Sequence, residues 1–169
     1  MKIGIIGLGN ISHKHFKEFS KIEGVKIESV CDVNNENLNL FISKFGKHIR
    51  CYSSADEMLE NEKNFDGISN ATPDKFHKEV SLKVLNRQLN IFSEKPLAEN
   101  YQDAKILADA ANKYNVINMV NFTYRESSAY QKLVEILKSH QLGDVRHVSA
   151  NYYQSWLTSN IWGKWREED

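Results

Sequence analysis

Met1-Lys2-Ile3-Gly4-Ile5-Ile6-Gly7-Leu8-Gly9-Asn10-Ile11-Ser12 opens the chain, and its reading decides the fold. Ile3 to Ile6 is a short apolar run of strand character that stops at Gly7. Ile11, His15, Phe19 and Ile22 then recur at i, i+4, i+8 and i+11, the spacing of one helix face. A strand that turns through Gly7-x-Gly9 into a helix suits one kind of ligand. Gly7 permits a tight turn, and Gly9 lets the backbone approach a pyrophosphate with no Cβ in the way. The helix start at Asn10 and Ile11 presents free N–H groups to that anion. The third position is Ser12 rather than glycine or alanine, and it is small enough for close helix–strand packing. The same turn can exist with no ligand. Its place at the first strand–helix junction favours dinucleotide binding.

The alternation continues outward from this turn. Further strands are expected at 25–31, 49–52, 67–70, 89–93 and 116–122. Between them lie helical segments over 38–45, closed by Gly46, over 55–61, and along Phe76, Val80 and Val84. Asn100 caps another helix, with Asp103 three residues on, and Ala104, Leu107, Ala108 and Ala111 form its stripe. Such an order predicts an α/β fold, a doubly wound, mostly parallel sheet with helices on both faces. After about residue 122 the character changes. Tyr130, Leu133, Val134 and Leu137 mark a helix closed by Gly143, and 145–156 reads as one long aromatic-rich strand. A strand with no following strand makes no sheet of its own, so it is expected to pair with something outside this sequence or to stay poorly ordered.

Bulk composition excludes some classes. Lys+Arg and Asp+Glu are both 22 in 169 residues, so the formal net charge is zero and binding of nucleic acid through bulk electrostatics is not expected. No apolar run approaches the roughly 20 residues that span a bilayer, and the start is too short and glycine-punctuated for a signal peptide. Cys31 and Cys51 form no C-x-x-C and have no histidine at ligand spacing. They read as buried reduced thiols of a cytoplasmic protein, and no metal site is expected.

Other candidate site residues stand at strand ends, where open α/β sheets bind ligands. Asp32 closes the second strand. Its carboxylate suits the ribose hydroxyls of an adenosine and would repel a 2′-phosphate, and the following Val33-Asn34-Asn35 carries no cation. That favours NAD over NADP; a plain helix-capping aspartate is the alternative. Ala71-Thr72-Pro73 follows the fourth strand, with His77 in the next helix. His77 is as consistent with a structural role as with a catalytic one, and His15 is better read as a packing or locally hydrogen-bonded residue. Glu94-Lys95-Pro96 follows the fifth strand, where a nicotinamide would react.

Taken in order, Gly7-x-Gly9, Asp32, Ala71-Thr72-Pro73 with His77, Glu94-Lys95-Pro96 and Phe122-Thr123-Tyr124-Arg125 resemble the Gfo/Idh/MocA family of NAD(P)-dependent oxidoreductases. The likeness extends through Tyr152-Tyr153-Gln154-Ser155-Trp156-Leu157. It implies a Rossmann domain over 1–122, then the truncated start of an α+β substrate and oligomerisation domain over 123–169. It also implies a sugar or polyol substrate between the domains. Lys95 would be the catalytic group, meeting the reacting hydroxyl or carbonyl. Glu94 would lie near the nicotinamide ribose, Pro96 would fix the turn with a cis bond allowed before it, and Arg125 would approach the cofactor or the domain junction. Thr123 stands where the family often has asparagine and takes no role.

The family's later motif, with an aspartate and a histidine that complete the catalytic set, does not occur in these 169 residues. The expectation is therefore the cofactor-binding part of a dehydrogenase, with the isolated chain inactive or slow. The alternative is a non-catalytic dinucleotide-binding or regulatory module that self-associates through its last strand. A methyl-donor site also uses a glycine turn and an acidic residue, but the lysine triplet disfavours it.

Overall fold

Six parallel strands make one sheet in the computed structural model, which describes residues 1–153 and 155. In chain order the elements are β1 (Lys2–Ile6), α1 (Asn10–Phe19), β2 (Lys26–Cys31), α2 (Asn35–Phe45), β3 (Arg50–Tyr52), α3 (Ala55–Asn61) and β4 (Gly67–Asn70). A 3-10 turn (Asp74–Phe76) leads into α4 (His77–Leu85), followed by β5 (Asn90–Ser93), α5 (Tyr101–Tyr114), β6 (Asn118–Val120) and α6 (Ser128–Lys138). The strand order is β3-β2-β1-β4-β5-β6, and all five pairings are parallel. The order reverses between β1 and β4, which opens a crevice beyond their carboxyl ends. This is the Rossmann arrangement.

Alternation along the strands divides the core in two. Ile3 and Ile5 face a cluster with Leu8, Ile27, Val30, Leu38, Phe41 and Ile49, under α1 and α2. Ile6 faces the opposite cluster, with Met58, Leu59, Ile68, Val80, Val84, Leu85, Ile91, Leu107 and Ala111, under α3, α4 and α5. Phe16, Phe41 and Phe45 pack as a ring triad on the first side, with centroids 4.3 to 5.4 Å apart.

Local sequence accounts for the helix ends. The Asn34 and Ser54 side chains accept from Glu36 N and Glu57 N, and Gly46 ends α2 with φ +109°. Asn100 accepts from Asp103 N at 2.9 Å and donates to its carboxylate at 3.0 Å.

Several expectations are corrected. The buried face of α1 is Ser12 and His15, and Ile22 lies beyond the C-cap at Ser20, 53% exposed. Phe76 sits in the 3-10 turn and is exposed; His77 takes the buried place, with Val80, Ser81, Val84 and Leu85. On α5 only Leu107 and Ala111 are fully buried. β6 is three residues long because Val116 N–H bonds back to Ala111 at the end of α5, and Phe122 N–H closes on Val120. No strand forms over 145–153, where every residue is exposed: a strand needs a ladder partner, and none is there among the described residues. Trp156, the far end of that expected strand, lies outside the described residues.

The chain divides into two compact units, Met1–Phe122 and Thr123–Asp169. In the second, Ser127 caps α6 by accepting from Tyr130 N, and the hydroxyls of Tyr124 and Tyr152 hydrogen-bond to each other. No residue of α6 is buried.

Candidate active site

The glycine turn is built to two different tolerances. Gly7 has φ +87°, and a Cβ on it would stand 2.6 Å from Thr72 N and 2.7 Å from the Ala71 carbonyl. The loop after β4 therefore packs directly on the Gly7 backbone, which only glycine permits. A Cβ on Gly9, by contrast, would meet nothing within 4 Å. Gly9 is the N-cap of α1 with no side-chain cap, and both it and Asn10 are exposed. The first-turn N–H groups of Asn10 and Ile11, which no helix carbonyl can take up, thus follow a residue with open space around it. Ser12 is fully buried and donates its hydroxyl to Gly9 O at 2.6 Å, so the third fingerprint position closes the turn from inside.

Asp32 lies beside this turn and does not cap α2; Asn34 does. Its Oδ2 accepts from Leu8 N at 2.7 Å and from Asn37 Nδ2 at 3.1 Å, and its Oδ1 accepts from Asn34 N at 2.8 Å. The carboxylate is half-buried, fixed in orientation, and has acceptor capacity left for hydroxyl groups.

After β4, the fully buried Asn70 organises the next loop. Its Oδ1 accepts from Thr72 N and Oγ1, while its Nδ2 donates to His77 O and Ser81 Oγ. Pro73 precedes the 3-10 turn. His77 has no exposed surface. Its Nδ1 lies 2.5 Å from Pro96 O and its Nε2 2.8 Å from Thr72 O. The enclosed ring ties the loop after β4 to the turn after β5.

That turn carries Glu94-Lys95-Pro96, with a cis Lys95-Pro96 bond. Glu94 N donates to Asn70 O, which seats the turn on β4. The Glu94 carboxylate points inward. Oε1 accepts from His15 Nε2 at 2.8 Å and from Asn121 Nδ2 at 2.6 Å, and Oε2 accepts from Lys95 N at 3.3 Å. Ser69 Oγ lies 2.8 Å from His15 Nδ1. Burial acts to raise the Glu94 pKa, but the hydrogen bonds from His15 and Asn121 outweigh it and hold the carboxyl below its usual range. Ser69–His15–Glu94 follows the order of a hydrolytic triad, yet Ser69 has no exposed surface for a substrate to reach. His15, read as a local structural residue, in fact joins groups far apart in sequence.

Lys95 itself is exposed, and its ammonium has no hydrogen bond or ion pair among the described residues. One unit thus brings Gly7, Gly9, Asn10, Ile11, Asp32, Ala71, Thr72, Pro73, Glu94 and Lys95 to the carboxyl ends of β1, β2, β4 and β5. Arg125 belongs to the second unit, where its carbonyl accepts from Gln131 Nε2. Sequence reasoning missed Ser69 and Asn121. Neither carries a motif, and only the alignment of strand ends reveals them. Among the described residues no three His, Cys, Asp or Glu side chains group to hold a metal ion, and no helix is long and apolar enough to cross a membrane.

Strand order, glycine turn and the acidic residue after β2 together define a dinucleotide-binding α/β domain. The model of the oxidoreductase family with an NAD-binding Rossmann fold matches residues 1–122, and the chain belongs to this Gfo/Idh/MocA family. Glucose-6-phosphate 3-dehydrogenase of Bacillus subtilis is 28% identical over 167 residues, 99% of this chain and 46% of that protein. Inositol 2-dehydrogenase of Salmonella typhimurium is 24% identical over 92% of this chain and 46% of its own length. Among solved structures, myo-inositol 2-dehydrogenase from Lactobacillus plantarum superposes with a TM-score of 0.77 at 27% identity, covering 86% of this chain and 43% of that one. WlbA dehydrogenase from Bordetella pertussis, solved with NADH and UDP-GlcNAcA, gives 0.78 at 25% identity, covering 84% and 43%. The chain spans about half the length of the relatives it matches.

Proposed function

We propose that this chain is the cofactor-binding portion of an NAD-dependent dehydrogenase acting on a sugar or polyol. The observation that carries the reading is Lys95: an exposed ammonium with no partner among the described residues, next to the buried, hydrogen-bonded Glu94. A bound nicotinamide supplies the hydride donor or acceptor. Gly9 and the N–H groups of Asn10 and Ile11 hold the pyrophosphate. Asp32, pre-oriented by Leu8 N and Asn37, accepts from the adenosine ribose hydroxyls. A 2′-phosphate would meet that carboxylate with no cation in Val33-Asn34-Asn35 to offset it, which supports NAD over NADP. Ala71, Thr72 and Pro73 wall the groove. Lys95 Nζ donates to the substrate oxygen, stabilising an alkoxide or relaying its proton. Glu94 borders the nicotinamide ribose, and Arg125 serves the cofactor or the domain junction.

The unit from Thr123 onward is read as the beginning of an α+β substrate domain, whose sheet also offers a surface for self-association. Apolar Tyr130, Leu133 and Leu137 on α6 are exposed as such a surface would be. The two thiols are free, which fits the cytoplasm. On its own the 169-residue chain binds dinucleotide and turns over slowly or not at all, because a lone lysine lacks the partners that complete the reaction. Calorimetric titration with NAD, NADP and S-adenosylmethionine side by side tests the reading. Binding is expected for NAD and weaker for NADP; binding of S-adenosylmethionine alone would overturn it. Robust oxidation of a polyol with NAD by this polypeptide would overturn the claim of inactivity.

A further inference from the structure

We propose that His15 and Glu94 are positioning residues for Lys95: a buried pair that fixes the lysine's peptide, so that the side chain leaves the turn in one direction. The proposal rests on Lys95 being the group that meets the substrate. Four parts of the chain converge to build the pair. α1 supplies His15, β4 supplies Ser69, the turn after β5 supplies Glu94, and Asn121 follows β6. The rings of Phe19 and Phe92 pack edge-on against His15 at 6.2 and 5.3 Å. His15 is 5% and Glu94 7% exposed.

A sheet end needs no ionic pair for stability. Apolar residues of similar volume avoid the desolvation cost, and a buried pair is often no better than they are. What the carboxylate provides here is shown by its oxygens. Oε1 is taken by His15 and Asn121, and Oε2 holds the N–H of Lys95, the next residue in the chain. The carboxyl is held in its ionised form by the same donors. Lys95 Nζ has no partner among the described residues, and His15 and Lys95 are the titratable residues in contact with Glu94. Glu94 thus acts inward on the lysine's backbone while Lys95 faces outward.

Glu94→Gln isolates this function. If its amide oxygen takes the place of Oε1, its NH2 confronts the N–H of Lys95; if it flips, the NH2 confronts His15 and Asn121. Either way the volume is kept and the charge and one donor–acceptor match are lost.

The test is hydrogen exchange of the Lys95 amide, read by NMR, with the amide of exposed Lys47 as internal reference. In Glu94→Gln the Lys95 amide is expected to exchange at least about tenfold faster, with Lys47 unchanged. Equal Lys95 amide exchange in the two chains would overturn the proposal. A second measurement needs no variant at that position. In the unmodified chain, the Lys95 amide resonance should titrate with a midpoint below that of an ordinary glutamate, and His15→Leu should raise it. An amide that ignores pH, or a midpoint at the ordinary value, would overturn the proposal too. Titration of the unmodified chain with NAD judges the cofactor reading separately, because neither lysine measurement requires NAD.

Discussion

Gly7 and Gly9 are two residues apart and answer to different constraints. Gly7 is required by the fold: its φ is +87° and the Thr72 backbone leaves no room for a side chain. Gly7→Ala should cost about 1–3 kcal/mol of stability, read as a lower urea midpoint, because an αL-type conformation and a backbone clash act together. Gly9 is under no such packing constraint, and the proposed function assigns it to the ligand. Its backbone has extended N-cap geometry, φ −68° and ψ −175°, with open space around it. Gly9→Ser should hold or slightly raise the melting temperature by capping α1, yet weaken NAD binding at least about tenfold by filling the cradle. A variant that bound NAD normally would remove Gly9 from the site.

Glu94 has its own pH signature. Its folded pKa is depressed, so its contribution to stability is present above the unfolded value and disappears as pH falls through the folded one. Acid unfolding below about pH 4.5 should therefore begin at lower pH in Glu94→Gln than in the unmodified chain, if the two are compared as changes from neutral stability. Cys31 differs again: burial first, and then the Asp32 charge, pushes its thiol up to about 12. Iodoacetamide at pH 8 should label Cys51, which is half-buried, faster than Cys31 in the native protein.

At the level of elements, strands that are short apolar runs stopped by glycine or proline stand within a residue or two of where sequence places them; β1 and β4 are the clearest. Helix identity was also legible, because caps such as Asn100 and Gly46 act through the backbone of their own turn. Asn100→Ala should cost about 1 kcal/mol, measured by chemical denaturation. Faces were less legible. α1 buries Ser12 and His15 because its contact is polar at the site end; the periodic face of Ile11, His15, Phe19 and Ile22 includes His15 but passes over Ser12 and extends to the exposed Ile22. α4 buries His77 and exposes Phe76 for the same reason. The site divides likewise. Gly7, Gly9, Asp32 and Lys95 sit at strand ends that the alternation of elements already announces. Ser69 and Asn121 join the site only through the pairing of β4 with β5 and of β5 with β6, a relation between distant segments that no local pattern encodes. The expected strand over 145–156 was a local reading that lacked its non-local half.

For the molecule as a whole, among the described residues both hydrophobic clusters draw their buried members from residues up to Ala111, and their partly buried neighbours from residues up to Val116. A chain ending after Phe122 should then fold cooperatively, with a thermal midpoint within a few degrees of the full chain, and should stay soluble to higher concentration, since Tyr124, Tyr130, Leu133, Leu137, Tyr152 and Tyr153 are exposed apolar groups beyond it. Calorimetry and light scattering on the two chains check this; a shortened chain that fails to fold would show that the later residues support the sheet.

The place of β1 has a consequence for synthesis. Ile3 pairs with Ile27 on one side and with Gly67 on the other, so the earliest of these six strands to leave a ribosome lies inside the finished sheet. Its second neighbour emerges only after β2, α2, β3 and α3 have been made. Until then one ladder edge of a strand rich in isoleucine stands open on the nascent chain. Chaperone contact before β4 has left the ribosome should therefore most affect the yield of native protein, and slow codons placed far enough beyond β4 for that strand to have emerged should raise the soluble yield more than the same codons placed before it.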